Sequence, residues 1–531
     1  MKYESNIKVD SSLDANSLAS HFRSKVEKIR DLSAEGSPFA AAPSPLSGDF
    51  TTFAAITEED VTRAVKSYPN KQCAQDPIPT WLLKKCLPDI APVITKIVAK
   101  QLVGYLNSAG LFAKNQSAYR QFYSTETVLL PVISDLIIGM EAGKMALVSV
   151  LDISAAFDTV DHSILLNVLE TEFGVRGDVL QWMTSYLSGR VASVTFNKYT
   201  SPETPIEFGV PQGSVLGPIH FILYTNRLER LIHSAGFESQ GYADDFFIFK
   251  FCSPDEKDIL KNEVISFINT FSSWMSVNKI KLNPTKTEFI WIASPGRQAL
   301  IDFSPIRIQG TDIIPSTEIK FLGFTLDNSL SLESQISKAM SSGFFHLRQI
   351  KSIRRCLPID GAKSLINSFV VSRMDYCNSA YAGLPETQLN RIQSVFNAAA
   401  RMIFGESKCC HITPLLRDRL HWLRCPERIE FKICLMTFKA LQGMAPAYIS
   451  ELCVRQNLSG RQLTLRSADL DVTNRLIELS RSNRAVYYDR SFHVTGPLIW
   501  NKLPSALTNI QNLAEFKRAF KTKLFKKSYH S

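Results

Sequence analysis

An α/β fold, α+β in its central part and followed by a mainly helical, basic C-terminal region, is predicted for this chain of 531 residues. Between residues 146 and 327 short apolar runs alternate with helical periodicity, the pattern of strands laid against helices. Beyond Ser331 the periodicity turns helical, and near the end Phe516, Phe520 and Leu524 fall four apart as one apolar helix stripe. Size is the third observation: the chain exceeds what one ordinary core organises, so three or more subdomains are expected.

A short N-terminal helix comes first, and residues 33–50, rich in Ser, Ala, Pro and Gly, read as a linker after it. Thr57 starts the next helix, because Thr57 and Asp60 form a capping-box-like pair with Ile56 and Val61 as a staple. The prolines at 77 and 79 break the chain before a helix through Trp81 to Leu87. Pro131 falls inside what should be a helix after Thr127, where an interior proline costs about 3 kcal/mol. Residues 146–151, apolar apart from Ser149, predict a buried strand that delivers Asp152 at its end. An acid in that place is either a site residue or the N-cap of a following helix.

Residues 209–218 make a Gly-rich turn that leads into the apolar run 221–224. Its glycines admit close backbone approach to a bound chain, and Gln212 and Ser214 supply polar contacts. Residues 240–249 predict a strand, a tight turn and a second strand, with Asp244 and Asp245 adjacent at the turn. Further on, Lys338, Arg348, Lys351, Arg354 and Arg355 follow one another with no acid between them. That suits a helix laid along a duplex backbone, or equally a solvated basic face. In the last helix Lys517, Arg518, Lys521, Lys523, Lys526 and Lys527 surround the apolar stripe. Nucleic-acid contact, a nuclear-localisation signal and a merely soluble tail all fit them.

Composition is that of an ordinary soluble globular protein, 45% hydrophobic and 21% charged. The net charge of +10 suits a polyanionic partner held by salt-sensitive phosphate contacts, though such a charge is as often mere surface. The ten cysteines are scattered and no secretory signal precedes them, which points to reduced thiols in a cytosolic or nuclear setting. Cys409, Cys410, His411, His421 and Cys425 cluster but lack the usual Cys-x₂₋₄-Cys spacing of zinc sites, so structural thiols are expected. No apolar run reaches membrane-spanning length.

The chemistry-bearing residues are the acids. Adjacent carboxylates are unfavourable unless a cation shares them, and hard oxygen donors suit Mg²⁺, which takes one or two carboxylates plus substrate phosphates. Alone, Asp244 and Asp245 would be a solvated hairpin. Asp152 upstream, with the Gly-rich turn between, makes them a candidate site.

Together these pieces resemble the reverse transcriptases of non-LTR retrotransposons, most closely the jockey-like group of LINE elements. Residues 151–158 resemble motif A, 209–218 motif B, 242–245 motif C, 282–288 motif D and 320–324 motif E, in the family order. The resemblance also covers residues 116–120 and 124–127 and most of the tail.

It implies an RNA-directed DNA polymerase of the right-hand fold. The domains expected from it are an N-terminal helix and linker (1–50), truncated fingers (51–145), a palm (146–330), a helical thumb (331–405) and a basic C-terminal region (406–531). Asp152, Asp244 and Asp245 are the implied catalytic and metal-holding acids, Asp245 the less critical, for two Mg²⁺ ions with Mn²⁺ as the alternative. Phe157 is the implied steric gate against a ribose 2′-hydroxyl, with a core Phe as the plain alternative. Gln212, Gly213, Arg120 and Lys286 are the implied nucleotide contacts. Lys286 would protonate the pyrophosphate, unless it is only a solvated strand residue. Phe321, Leu322 and Gly323 are the implied primer grip.

RNA template, DNA primer and dNTPs are the implied partners, with no membrane, a nuclear or cytoplasmic setting, and the oligomeric state left open.

Departures from the family pattern accompany the matches. Val98 runs straight into Ala99, where several tens of residues of basic finger strands are expected. Pro131 interrupts a helix and Arg227 stands where the family usually has Asp. The endonuclease of the apurinic type that the family carries ahead of the fingers is expected to be lacking. No acidic set of RNase H type follows the thumb. A catalytically impaired or repurposed retrotransposon fragment that only binds nucleic acid is therefore the alternative. An RNA-dependent RNA polymerase would share the two-metal palm, but Phe157 and the Tyr242-Ala243 pair argue against it.

Overall fold

A strand covered on both faces needs no polar alternation, and Met145–Leu151 (β1) is buried at every position. It lies inside an antiparallel sheet with Glu238–Tyr242 (β2), Asp245–Cys252 (β3) and Glu288–Ile292 (β4), in the order β4-β1-β3-β2. The register sets Leu147 opposite Trp291 on one side and Val148 opposite Phe249 on the other. A two-stranded sheet follows, Glu318–Phe321 (β5) with Phe324–Asp327 (β6). Every strand pair in these sheets is antiparallel, which makes the sheet region α+β.

The computed structural model describes residues 14–31, 48–54, 98–210, 214, 216–455, 475–478 and 488–529. The linker over 33–47, the helix starting at Thr57, the break at 77–79, the Trp81 helix, Cys73 and Cys86 lie outside these, as do Gln212 and Gly213. The chain forms two compact units that interleave along the sequence. Met1–Ala113, Ile153–Arg230 and Thr270–Leu282 make the first, and Lys114–Asp152, Leu231–Asn269 and Asn283–Ser531 the second.

The second unit holds β1 to β6. Its Thr125–Glu141 helix packs on the sheet and is capped by Ser124, which accepts the Thr127 N–H while the Thr127 side chain accepts the Ser124 N–H. The helix runs through Pro131 without ending, because most of its residues are buried and their burial outweighs one missing hydrogen bond. Gly139 lets it approach β3: a Cβ there would sit 2.1 Å from a Phe251 ring carbon.

Helices Glu333–Ile353, Glu386–Phe404, Cys425–Leu441, Phe492–Asn501 and Leu513–Tyr529 continue the same hydrophobic core. The expected terminal stripe is realised, with Phe516, Phe520 and Leu524 fully buried and Phe516 stacked on Phe438 at 4.2 Å.

The basic row 338–355 is not a uniform binding face. Lys338 bonds Glu318 at 2.8 Å, and Arg354 holds the Met402 and Ile403 carbonyls at the end of a neighbouring helix. Arg348, Lys351 and Arg355 remain exposed. Cys425 is buried and its N–H donates to Gln393, a packing role consistent with a structural thiol.

The first unit is mainly helical, with Ala15–Asp31, Val98–Ser108, His162–Phe173, Gly177–Leu187 and Leu216–Tyr224. Asp161, not Asp152, caps the helix after the central strand, accepting the Ser163 and Ile164 N–H groups. Arg227 is matched locally: it and Arg230 both pair with Glu172, whose side chain is only 4% exposed. Among the described residues no helix is long and apolar enough to cross a membrane.

Candidate active site

The acid-bearing hairpin forms as the alternating sequence dictates. β2 ends at Tyr242, β3 begins at Asp245, and these two residues pair across a two-residue turn. The first turn residue, Ala243, takes φ +58, the left-handed conformation a hairpin of this length demands. Asp244 therefore sits at the tip and Asp245 at the first rung of β3. The last buried residue of β1, Leu151, is followed at once by Asp152, so the strand end adjoining β3 presents the third acid.

Solvent-poor surroundings and like charge act on this set. Burial raises the pKa of Asp244, and Asp152 adds to the rise while Lys286 opposes it. Burial also lifts Asp245, to about 6, with the charges of Asp244 and Asp152 contributing. Asp152 is held by its neighbours. Its carbonyl accepts the Asn283 N–H at 2.9 Å, its Oδ2 accepts Asn283 Nδ2 at 3.3 Å, and Lys286 Nζ stands 3.4 Å away. Lys286 lies in the turn after Asn283, not in a strand, and its side chain is 66% exposed. Asn283 thus fixes the central acid on two sides. Its place inside the motif D segment was the only sequence signal for that.

Among the described residues no three His, Cys, Asp or Glu side chains already converge to enclose a metal ion. The donor set nonetheless fits Mg²⁺. Its oxygens are hard, burial together with the charge of Asp152 makes Asp244 and Asp245 hold their protons more tightly, and Mg²⁺ keeps waters instead of requiring a closed protein cage.

Phe321, Leu322 and Gly323 close the β5–β6 hairpin, with Leu322 at φ +49 and Gly323 at φ +79. Phe321 is buried against Phe247, two residues beyond Asp245, at 5.0 Å between rings. The Tyr376 hydroxyl donates to the Leu322 carbonyl and pins the turn. Nothing near Tyr376 in sequence signals that role, because the contact spans 54 residues.

Arg120 donates to the Gln116 carbonyl at 3.0 Å and lies over the Tyr123 ring at 4.2 Å, so its guanidinium is engaged within its own loop.

In the first unit, Phe157 is half-buried on the 3₁₀ turn Ala156–Asp158, tilted against Phe221 at 4.8 Å. The turn residue Val210 donates to the Phe157 carbonyl, and Gly209 to the Val160 carbonyl. Any Cβ at Gly209 would stand 2.9 Å from the Asp158 carbonyl oxygen, so glycine is required for this closure.

Residues 84–326 match the family described as reverse transcriptase (RNA-dependent DNA polymerase). Over 340 residues the chain is 24% identical to the probable RNA-directed DNA polymerase from transposon X-element of Drosophila melanogaster, covering 62% of this chain and 36% of the relative. To the RNA-directed DNA polymerase from mobile element jockey of Drosophila funebris it is 25% identical, covering 60% and 35%. Over residues 84–326 the chain is therefore similar to reverse transcriptases, and these relatives are RNA-directed DNA polymerases of a transposon and a mobile element.

All five motif-like segments, from 151 to 324, fall inside the matched residues. The chain spans a little over a third of the length of these curated relatives. Apo telomerase from Candida tropicalis aligns over 61% of this chain and 53% of its own, at 14% identity and a TM-score of 0.34, a likeness too loose to argue from.

Proposed function

We propose that this chain is an RNA-directed DNA polymerase that extends a primer 3′-hydroxyl with dNTPs on an RNA template. What carries this proposal is the acid set, Asp152 at the end of β1 and Asp244 and Asp245 at the turn into the adjoining β3, where burial and the charge of Asp152 raise the pKa of both turn acids. In this reading Asp152, Asp244 and Asp245 hold two Mg²⁺ ions, with Asp245 the less critical ligand. The ions, when bound, lower the pKa of the primer hydroxyl and steady the charge on the departing pyrophosphate.

The protein's own groups position and exclude. Phe157, five residues after Asp152, blocks a ribose 2′-hydroxyl, while Gln212 and Gly213 of the Gly-rich turn meet the nucleotide. In this reading Lys286, whose Nζ stands 3.4 Å from Asp152, protonates the departing pyrophosphate. Arg120 is a weaker phosphate contact, because Gln116 and Tyr123 already engage it. Residues 321–323 grip the primer, and the segments 51–145, 146–330 and 331–405 serve as fingers, palm and thumb of a right hand.

Primer extension on an RNA template tests this. Wild type should extend with dNTPs and Mg²⁺, and Asp244→Ala should lower the rate by about 10³-fold, the scale of losing a preorganised charge-stabilising group. Extension that survives Asp244→Ala would sink the assignment of the acids, and ready rNTP incorporation would remove Phe157 as the gate.

A second reading, a catalytically impaired copy that only binds nucleic acid, is favoured by Asp152, whose Oδ2 is already engaged by both Asn283 and Lys286. Its signature is salt-sensitive RNA binding without extension.

A further inference from the structure

The edge of the acid-bearing sheet is covered by a short parallel stretch from the loop before the Thr125–Glu141 helix. Gln116 pairs with Gly241 of β2: the Gly241 N–H donates to the Asn115 carbonyl at 2.9 Å, and the Ser117 N–H donates to the Gly241 carbonyl at 2.9 Å. This register brings the Gln116 side chain, 7% exposed, alongside Ala243.

Its amide then takes both backbone groups of that residue. Nε2 donates to the Ala243 carbonyl at 3.1 Å, and Oε1 accepts the Ala243 N–H at 2.9 Å. Oε1 also accepts the Ala118 N–H at 3.1 Å, which locks the side chain to its own loop. A Cβ at Gly241 would stand 3.2 Å from Nε2, so the glycine makes room for the amide. On its far side the loop is anchored by Ser117, whose hydroxyl lies 2.9 Å from that of Tyr448.

From this geometry we propose that Gln116 is the positioning residue of the acid-bearing turn, holding Ala243 left-handed and so aiming Asp244 and Asp245. Only a primary amide offers a donor and an acceptor side by side without charge, which matters beside carboxylates that already repel one another. An alanine at positive φ is disfavoured on its own and persists where the surroundings over-determine it. Buried polar groups of the turn would otherwise go unpaired. The functional consequence rests on the polymerase proposal; the geometry does not.

Measurements on the whole chain test it, using Gln116→Met, which keeps volume and removes both hydrogen bonds to Ala243 together with the one from the Ala118 N–H. Hydrogen exchange at the Ala243 amide should speed up about tenfold or more, since its acceptor is gone. Mn²⁺ binding, followed by the paramagnetic resonance of the free ion, should weaken about tenfold, and extension at saturating dNTP should slow about 10- to 100-fold, the scale of a sub-ångström to ångström misplacement. RNA affinity and cooperative unfolding should stay near wild type.

Gln388→Met, which removes a comparably buried amide bonded to Glu333, should change neither Mn²⁺ binding nor extension. Gly241→Ala, which crowds the amide without deleting it, gives the same direction of change should Gln116→Met fail to fold.

Ala243 exchange at the wild-type rate in a folded Gln116→Met protein overturns the proposal whatever the enzyme does. Faster exchange with unchanged Mn²⁺ binding and extension, where Asp244→Ala loses both, also overturns it. A wild-type chain that never extends primers defeats the polymerase proposal instead, and the exchange result then decides the positioning role alone.

Discussion

Asp161 caps the His162–Phe173 helix, and Arg30 pairs with its other oxygen at 2.6 Å. Burial alone would raise its pKa, but hydrogen bonds from Ser163, Arg30 and the Ile164 N–H, with the Arg30 charge, bring it down to about 2. A carboxyl lowered from about 3.9 in the unfolded chain contributes stability above that value and loses it as pH falls through the folded pKa. The contribution is about 2 kcal/mol. Wild type should therefore exceed Asp161→Asn, which keeps a capping oxygen, by that margin at pH 7. The gap should shrink by roughly half at pH 3. Urea unfolding at the two pH values decides it, and a pH-independent gap would rule the charge out.

Glu172 shows the opposite balance. Burial raises its pKa, and Arg227 and Arg230 work against that rise. The arginine that departs from the family pattern thus answers a carboxylate inside its own unit.

At the scale of elements, the Thr125–Glu141 helix and β3 compete for space at Gly139. Helix propensity favours Gly139→Ala by about 1 kcal/mol. Overpacking costs about 1–3 kcal/mol, and here the new methyl meets a Phe251 ring carbon at 2.1 Å, far inside contact distance. Packing should win, so Gly139→Ala is expected to lower the melting temperature. A rise would mean that helix and strand separate freely.

Pro131 shows the same rule from the other side. Its local cost is real, yet twelve buried residues in the helix hold it in place. The β2–β3 hairpin is the element most legible in sequence, since apolar runs flanking a polar pair have few alternatives. What the sequence left hidden there is the support of the turn, because Gln116 lies 127 residues away from Ala243.

Across the whole molecule the net charge is +10, but the structure divides its cations between two duties. Lys338, Arg354 and Lys527 are committed to local partners, Lys527 pairing with Glu430 at 2.6 Å. Lys517, Arg518, Lys521 and Lys526 stay exposed on the last helix. Each phosphate neutralised on a single strand contributes about 0.7 to the slope of log affinity against log salt. Replacing Lys517, Lys521 and Lys526 by Ala should then reduce the slope for RNA by about 2 if this helix touches RNA. An unchanged slope would mean that the lysines serve only solubility.

The sequence by itself determined the covalent logic of this protein: acids at a strand end and a hairpin tip, a Gly-rich turn between, the apolar stripe at 516, 520 and 524, and the order of motif-like segments. These are local patterns, set by the strand period, the helix period and turn chemistry. Tertiary structure alone decided which polar groups serve those patterns. It gave the helix cap to Asp161 instead of Asp152, Glu172 to Arg227, Tyr376 to the Leu322 turn and Gln116 to Ala243. Such pairings join residues distant in sequence and depend on which buried groups lack a partner, a condition that exists only once the chain is packed.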